Sequence, residues 1–219
     1  MSYLGLISFL FWAFSCGPGK IQSVSKGRDT LKINDKVYFL DSISEAVFAD
    51  IPGSEKSLAP DTSVVKIFAD SILVKTKTKN HIFRNDTFPS ELFAVYTYKN
   101  LFKDVGFIQV HCDGWESRCE FLINIETGEK TMLWGELKFS PGKEKVISYN
   151  VDLEAGFTPN GFQLFQMKDK SLSKVFDAYM EKWGPKEIKW ESDTAILIKR
   201  VRYDDRGNEV YDYRRMVLK

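Results

Sequence analysis

The stretch LKFSPGKEKVI, residues 137–147, contains an apolar run that ends in an aromatic residue, a Pro-Gly turn and a second β-branched run. A related stretch, IKWESDTAILI, begins 51 residues later (188 − 137) and spans residues 188–198. Apolar runs of this length, bounded by Pro, Gly, Asp or Ser, are typical of β-strands joined by tight turns. The two copies therefore predict a repeated strand–turn–strand unit.

Short runs of β-branched and aromatic residues continue along the chain on both sides of this repeat. They occupy residues 36–40, 63–68, 71–75, 91–96, 106–110, 120–125, 145–149, 161–167, 195–199 and 209–213. Turn-forming clusters separate them, and this spacing predicts an antiparallel all-β body. Only residues 172–182 have helical spacing, and they fit a strand followed by a loop equally well.

The LKFSPGK sequence resembles the F-S-P-D-G-K turn of WD-repeat-like β-propellers, although it lacks the Asp of that motif. The resemblance covers residues 106–219 at most. It implies a small or incomplete propeller-like array of short sheets, since one blade needs about 40–50 residues. A β-sandwich is the alternative architecture.

An apolar segment, residues 3–15, precedes Cys16 and contains no charge. It is shorter than the roughly 17–25 residues of a membrane-spanning helix, but it fits the apolar region of a secretory signal. Ala13, Ser15 and Cys16 resemble the lipobox of bacterial lipoproteins, which implies lipid attachment at Cys16. The alternatives are a plainly secreted protein and an N-terminal core strand with a buried cysteine.

The lipoprotein resemblance divides the chain into three parts. Residues 1–15 would be a signal peptide, residues 16–28 a Gly/Ser-rich lipid-anchored tether, and residues 29–219 a single all-β domain. The expected location is the bacterial cell envelope, with the membrane as a partner through the lipid. Neither the leaflet nor the side of the envelope follows from the sequence.

The formal net charge of +1 among 219 residues indicates no long-range attraction to nucleic acid. Hydrophobic residues make up 43% and charged residues 28%, as in globular domains. We therefore expect no nucleic-acid partner and a chain long enough for a sizeable core.

Two cysteines, Cys112 and Cys119, are left if Cys16 carries lipid. They flank a turn-like stretch, residues 113–118, so a hairpin closed by a six-residue loop would place them opposite each other. An oxidising compartment would then favour a Cys112–Cys119 disulfide. Free thiols and a metal site are the alternatives, and the metal site has few further ligands nearby.

No nucleophile elbow, phosphate loop, dinucleotide fingerprint or zinc-protease motif occurs in the sequence. Acidic pairs occur at Asp113 with Glu116, at Asp152 with Glu154, and at Asp204 with Asp205. Each pair lies in or beside a predicted turn, where Asp accepts local backbone hydrogen bonds. We therefore predict no catalytic residue, no metal and no cofactor.

Trp115 lies at the tip of the predicted Cys-flanked turn, and Phe157 lies in the loop that follows residue 150. Exposed aromatic rings stack on sugars or on protein partners, so these two are the candidate ligand contacts. Trp134, Phe139 and Trp190 occupy repeat-related positions and are expected in the core. The sequence thus favours a non-enzymatic envelope module that binds a protein or glycan. The alternative is a carbohydrate-active hydrolase with paired carboxylates.

Overall fold

The computed structural model describes residues 29–52 and 62–218, and these residues form an all-β structure with one short helix. The predicted signal peptide, tether and Cys16 lie outside the described residues. The elements, in chain order, are β1 (Asp29–Ile33), β2 (Lys36–Ile43), α1 (Glu45–Asp50), β3 (Val65–Ile67), β4 (Ser71–Lys75), β5 (Asn80–Arg84), β6 (Ala94–Phe102), β7 (Phe107–Gly114), β8 (Ser117–Asn124), β9 (Lys130–Leu133), β10 (Glu136–Phe139), β11 (Lys145–Asn150), β12 (Gly161–Lys168), β13 (Ser171–Tyr179), β14 (Gly184–Ser192), β15 (Ala195–Tyr203) and β16 (Glu209–Val217).

The strands form four antiparallel sheets, none of them closed. Sheet 1 has the order β1-β2-β16-β15-β14, sheet 2 is β3-β4-β5, sheet 3 is β6-β7-β8-β9, and sheet 4 is β10-β11-β12-β13. Sheets 2, 3 and 4 are each built from consecutive strands. Sheet 1 is different because it joins the first strands of the described chain to the last ones. The predicted all-β, antiparallel class is confirmed.

The junction between the two chain ends in sheet 1 is the pairing of β2 with β16. Leu40 lies opposite Met216, and Ile43 lies opposite Tyr213. Leu40 and Met216 are both buried, so the pairing also brings two core side chains together. Apolar residues from the first and the last strands of the described chain are therefore buried together in one sheet.

Three apolar clusters lie between successive sheets. The largest packs sheet 1 against sheet 4 and includes Ile147, Phe162, Ile188 and Ile198. A second cluster joins sheet 4 to sheet 3, and a third joins sheet 3 to sheet 2. Along each strand the side chains alternate between faces, so a central sheet contributes to two clusters. The packing order is thus 1–4–3–2.

The repeated unit forms two hairpins, β10–β11 and β14–β15, as the sequence predicts. The two copies are in contact, because the Trp190 indole Nε1 donates a hydrogen bond of 3.0 Å to the carbonyl oxygen of Lys138. Trp190 is buried, as expected. Phe139 and Trp134 are half-buried, and Phe139 packs edge-on against Phe102 at a centroid distance of 4.8 Å.

The segment 172–182 takes the second of its two predicted forms, a strand followed by a loop, because residues up to Tyr179 form β13 along the edge of sheet 4. The one described helix, α1, was not predicted. It begins after Ser44, whose hydroxyl accepts a hydrogen bond of 3.4 Å from the Val47 amide, and a helix of six residues leaves little periodic signal in a sequence.

Candidate functional site

A cleft of about 720 Å³ lies between sheets 3 and 4 and reaches β14 of sheet 1. Polar and charged side chains dominate its walls. They include Lys99, Gln109, His111, Arg118 and Glu120 from sheet 3, Glu136, Tyr149 and Asn150 from sheet 4, and Lys186 from sheet 1. A cleft that gathers side chains from three sheets is the default candidate for a ligand site.

The sheet 3 wall contains a chain of hydrogen bonds centred on Glu120, which is only 6% exposed. Gln109 Nε2 donates to Glu120 Oε2 at 3.0 Å, and His111 Nδ1 lies 2.7 Å from Glu120 Oε1. His111 Nε2 lies 3.0 Å from Asp113 Oδ1. A buried carboxylate is costly unless it has such partners. Both ring nitrogens of His111 face carboxylate oxygens, and the imidazole is therefore fixed between two acids.

The geometry of this chain follows from strand alternation and register. Gln109, His111 and Asp113 are two residues apart on β7, so they share one face of sheet 3. Glu120 on β8 lies directly opposite His111. The turn between β7 and β8 fixes that register.

The sheet 4 wall carries a second acid with a fixed donor. The buried Tyr149 hydroxyl donates to Glu136 Oε2 at 2.7 Å, and the two residues are cross-strand partners. Burial, together with the negative charge of Glu136, raises the pKa of Tyr149 well above its usual range. The hydroxyl therefore stays protonated at physiological pH and acts as a hydrogen-bond donor in the cleft.

Three cationic side chains line the same cleft in exposed positions: Lys99, Arg118 and Lys186. Lys186 Nζ lies 3.9 Å from Glu209 Oε1, a loose ion pair. Within the described ranges, neither Lys99 nor Arg118 forms an ion pair with a carboxylate. The acids on the walls accept hydrogen bonds from Gln109 and Tyr149, whereas Lys99 and Arg118 are cations without an ion-pair partner among the described residues.

The two aromatic residues singled out from the sequence are both exposed, Trp115 by 52% and Phe157 by 59%. Trp115 lies in the β7–β8 turn, three residues before Arg118. Phe157 lies in the β11–β12 loop, which begins beyond Asn150. Neither aromatic is among the residues that line the cleft, although Arg118 and Asn150, near each of them in the chain, both line it.

The Phe157 loop is organised by Asp152. Its Oδ1 accepts hydrogen bonds from the Ala155 and Gly156 amides at 3.1 and 2.9 Å, and its Oδ2 accepts one from the Thr158 amide at 2.7 Å. Desolvation by itself would raise the pKa of Asp152, but these hydrogen bonds together lower it below its usual value. The interpretation of Asp152 as a turn residue is confirmed. Phe157 is thus presented by a loop with an internal scaffold.

The cysteine pair occupies the predicted positions in a tighter hairpin than expected. Cys112 lies directly opposite Cys119 in the β7–β8 pairing. The expected six-residue loop is wrong, because pairing continues to Gly114 and Ser117 and leaves a two-residue turn. Both cysteines are free thiols in the structure, so the predicted disulfide is not formed there, and the bond stays a prediction.

Three acidic residues named from the sequence have local environments that the structure describes. Asp113 is held by His111, Glu116 is exposed in the turn, and Asp152 caps its own loop. The acids that the fold places in the cleft are Glu120 and Glu136, which the sequence analysis missed. The period-two series Gln109-x-His111-x-Asp113 was the available signal, because alternate polar residues on a strand share a face.

Comparisons of the chain with protein families, with curated proteins and with solved structures find no match. In the described ranges, 29–52 and 62–218, no group of three or more His, Cys, Asp or Glu side chains is arranged to hold a metal ion. No helix of the described residues is long and apolar enough to span a membrane. The cleft geometry therefore carries the functional argument.

Proposed function

We propose that this chain is an exported, lipid-anchored binding module of the bacterial cell envelope, and that its cleft takes an acidic glycan. The observation that carries the ligand assignment is the combination of unpaired cations in the cleft with exposed aromatic rings on the loops beside it. Aromatic faces stack on the apolar faces of sugar rings, and Lys and Arg pair with carboxylate or phosphate groups. The lipid anchor rests on the lipobox-like sequence before Cys16.

The binding test is a calorimetric titration of an acidic polysaccharide, with its carboxyl-reduced neutral form as the matched ligand. We expect the acidic form to bind and to weaken with added salt, because exposed charge pairs are screened. Trp115→Ala and Phe157→Ala should each weaken binding by about tenfold, which corresponds to about 1.4 kcal/mol.

Phe88→Ala is the matched control, since Phe88 is also an exposed aromatic (72%) but lies in the β5–β6 connection. It should leave the affinity unchanged. Equal binding of the neutral and acidic polysaccharides would refute the charge argument, and equal loss in all three variants would refute the assignment of the site.

The anchor is tested by metabolic labelling with an alkyne analogue of palmitate in a bacterial host. The wild-type chain should take up label, and Cys16→Ala should not. Label that persists in Cys16→Ala would place the modification elsewhere, and an unlabelled wild-type chain would remove the anchor from the proposal.

We propose in addition that the four sheets form a propeller-like stack, in which sheet 1 joins the two chain ends. The β2–β16 pairing and the sheet-by-sheet chain order support this arrangement over a two-sheet sandwich. Methyl NOEs test it: Leu122 should contact Val146 across sheets 3 and 4, and Ile123 should contact Val74 across sheets 3 and 2. A sandwich would leave one of the two pairs without a contact.

A glycoside hydrolase is the second candidate, because the cleft contains two carboxyl groups, Glu120 and Glu136, on opposite walls. Pairs of carboxylates about 5–10 Å apart cleave glycosidic bonds by acid–base or nucleophilic mechanisms. The test is release of reducing sugar from the acidic polysaccharide, compared with Glu120→Gln and Glu136→Gln. Turnover that both variants retain would exclude these acids as catalysts.

A further inference from the structure

Three side chains form a line across three strands of sheet 3. Tyr96 on β6 lies opposite Cys112 on β7, and Cys112 lies opposite Cys119 on β8. Residues directly opposite on adjacent strands project from the same face of a sheet. The tyrosine hydroxyl and two thiols are therefore neighbours, and this group lies one residue away from the polar chain of the cleft wall.

Cys112 is flanked by Cys119 on one side and by Tyr96 on the other, each directly opposite it on an adjacent strand. The hydrogen bond from Cys119, with a smaller contribution from the Tyr96 hydroxyl, lowers the pKa of Cys112 to about 7 even though burial opposes the shift. The same bond and burial raise the pKa of Cys119. The pair therefore loses its first proton more readily than an ordinary thiol does, and the thiolate is the form that attacks disulfides.

The hairpin does not depend on a covalent link between these cysteines. Its pairing extends from Phe107 opposite Asn124 to Gly114 opposite Ser117, and the described thiols are free within it. Cys112 is buried, whereas Cys119 is partly exposed. The site therefore has one thiol that solvent can reach, Cys119, and one buried thiol, Cys112, opposite it on the adjacent strand.

We propose that Cys112 and Cys119 form a reversible dithiol–disulfide site that exchanges with a disulfide-bonded substrate. Cys119 passes its proton to the Cys112 thiolate, and the Cys119 sulfur attacks one sulfur of the substrate disulfide; the other substrate sulfur leaves as a thiolate and takes up a proton from solvent. Cys112 then attacks the mixed disulfide, forms the Cys112–Cys119 bond and releases the second substrate thiol. Starting from one thiol and one thiolate, the two cysteines lose two electrons and one proton, and the substrate disulfide gains these together with one proton from solvent.

The test uses the full chain carrying Cys16→Ser, with glutathione disulfide as the probe substrate and intact-mass measurement as the readout. We expect the loss of two hydrogens from the protein, the release of two glutathione thiols, and full reversal by dithiothreitol under native conditions. The additional Cys112→Ser change should trap glutathione on Cys119, while the additional Cys119→Ser change should slow the reaction because the remaining thiol is buried.

Tyr96→Phe tests the hydroxyl. It should slow the reaction at pH 7 by about two- to fivefold and move the pH profile upward, since a smaller fraction of the pair is thiolate. Tyr211→Phe, on β16, is the matched control and should react as the parent does. The proposal fails if the pair stays reduced in excess glutathione disulfide, or if its disulfide resists dithiothreitol until the protein unfolds. An unchanged pH profile in Tyr96→Phe would remove the tyrosine from the site.

Discussion

Trp190 connects sheets 1 and 4, and replacing it with phenylalanine should destabilise the protein by a calculable amount. The side chain is 8% exposed, and its Nε1 donates to the Lys138 carbonyl at 3.0 Å. Phenylalanine keeps an aromatic ring but removes the donor. The net loss of one hydrogen bond is about 1 kcal/mol, and the lost apolar ring area adds about 1 kcal/mol.

The total of about 2 kcal/mol corresponds to a fall in Tm of about 4–8 °C for a chain of this size. Thermal and urea unfolding followed by far-ultraviolet circular dichroism measure the change, since that signal does not depend on tryptophan fluorescence. Trp115→Phe is the matched control, because its side chain is exposed and should shift stability by less than about 0.5 kcal/mol.

If Trp190→Phe and Trp115→Phe unfold at the same temperature and the same urea concentration, the packing of sheet 1 on sheet 4 through Trp190 is refuted. A change in the urea m-value alone would point to a different denatured or native compactness instead. In either case the contact between the two repeat copies would have to be withdrawn. Trp190→Ala is the less informative variant, because a loss of about 3–5 kcal/mol could prevent folding altogether.

Gly161→Ala should destabilise strongly, because its φ is +143° and an added Cβ would lie 2.0 Å from the Ala178 carbonyl oxygen. Gly156→Ala is the control in thermal unfolding; it also has positive φ but nothing within 4 Å, so we expect a cost of only about 1 kcal/mol. Asp212→Ala should cost about 2 kcal/mol in urea unfolding, since it removes two hydrogen bonds from the nearly buried Arg200 guanidinium. The double change with Arg200→Met should recover part of that loss, because the guanidinium that loses Asp212 is then absent and Asp29 keeps its ion pair with Arg214.

The strand content of this protein is readable from the sequence because the alternating apolar runs and turn clusters coincide. The repeat at residues 137–147 and 188–198 predicts both hairpins, and Trp190 is buried as its position requires. The order of the sheets is not readable in the same way. The β2–β16 pairing joins residues far apart in the chain, and no local pattern specifies which distant edge strand will be the partner.

Part of the candidate site could be predicted from the sequence. Placing Cys112 opposite Cys119 also places His111 opposite Glu120, because one register fixes every pair along a hairpin. The sequence alone does not show that this pair of side chains faces another sheet across a cleft. Glu136 and Tyr149 face the same cleft from another sheet, and the packing of one sheet on another depends on twist and side-chain volume rather than on local pattern.

The residues of the two proposals lie on opposite faces of the β7–β8 hairpin, so glycan binding and thiol exchange can be tested separately. His111 projects from one face of β7, and Cys112, the next residue, projects from the other. A change at Cys112 therefore leaves the hydrogen bonds of Glu120 in place, whereas Cys119 also borders the cleft. Cys112→Ser is accordingly the cleaner variant for separating thiol exchange from glycan binding. Failure of either proposal in that variant would leave the other open to its own test.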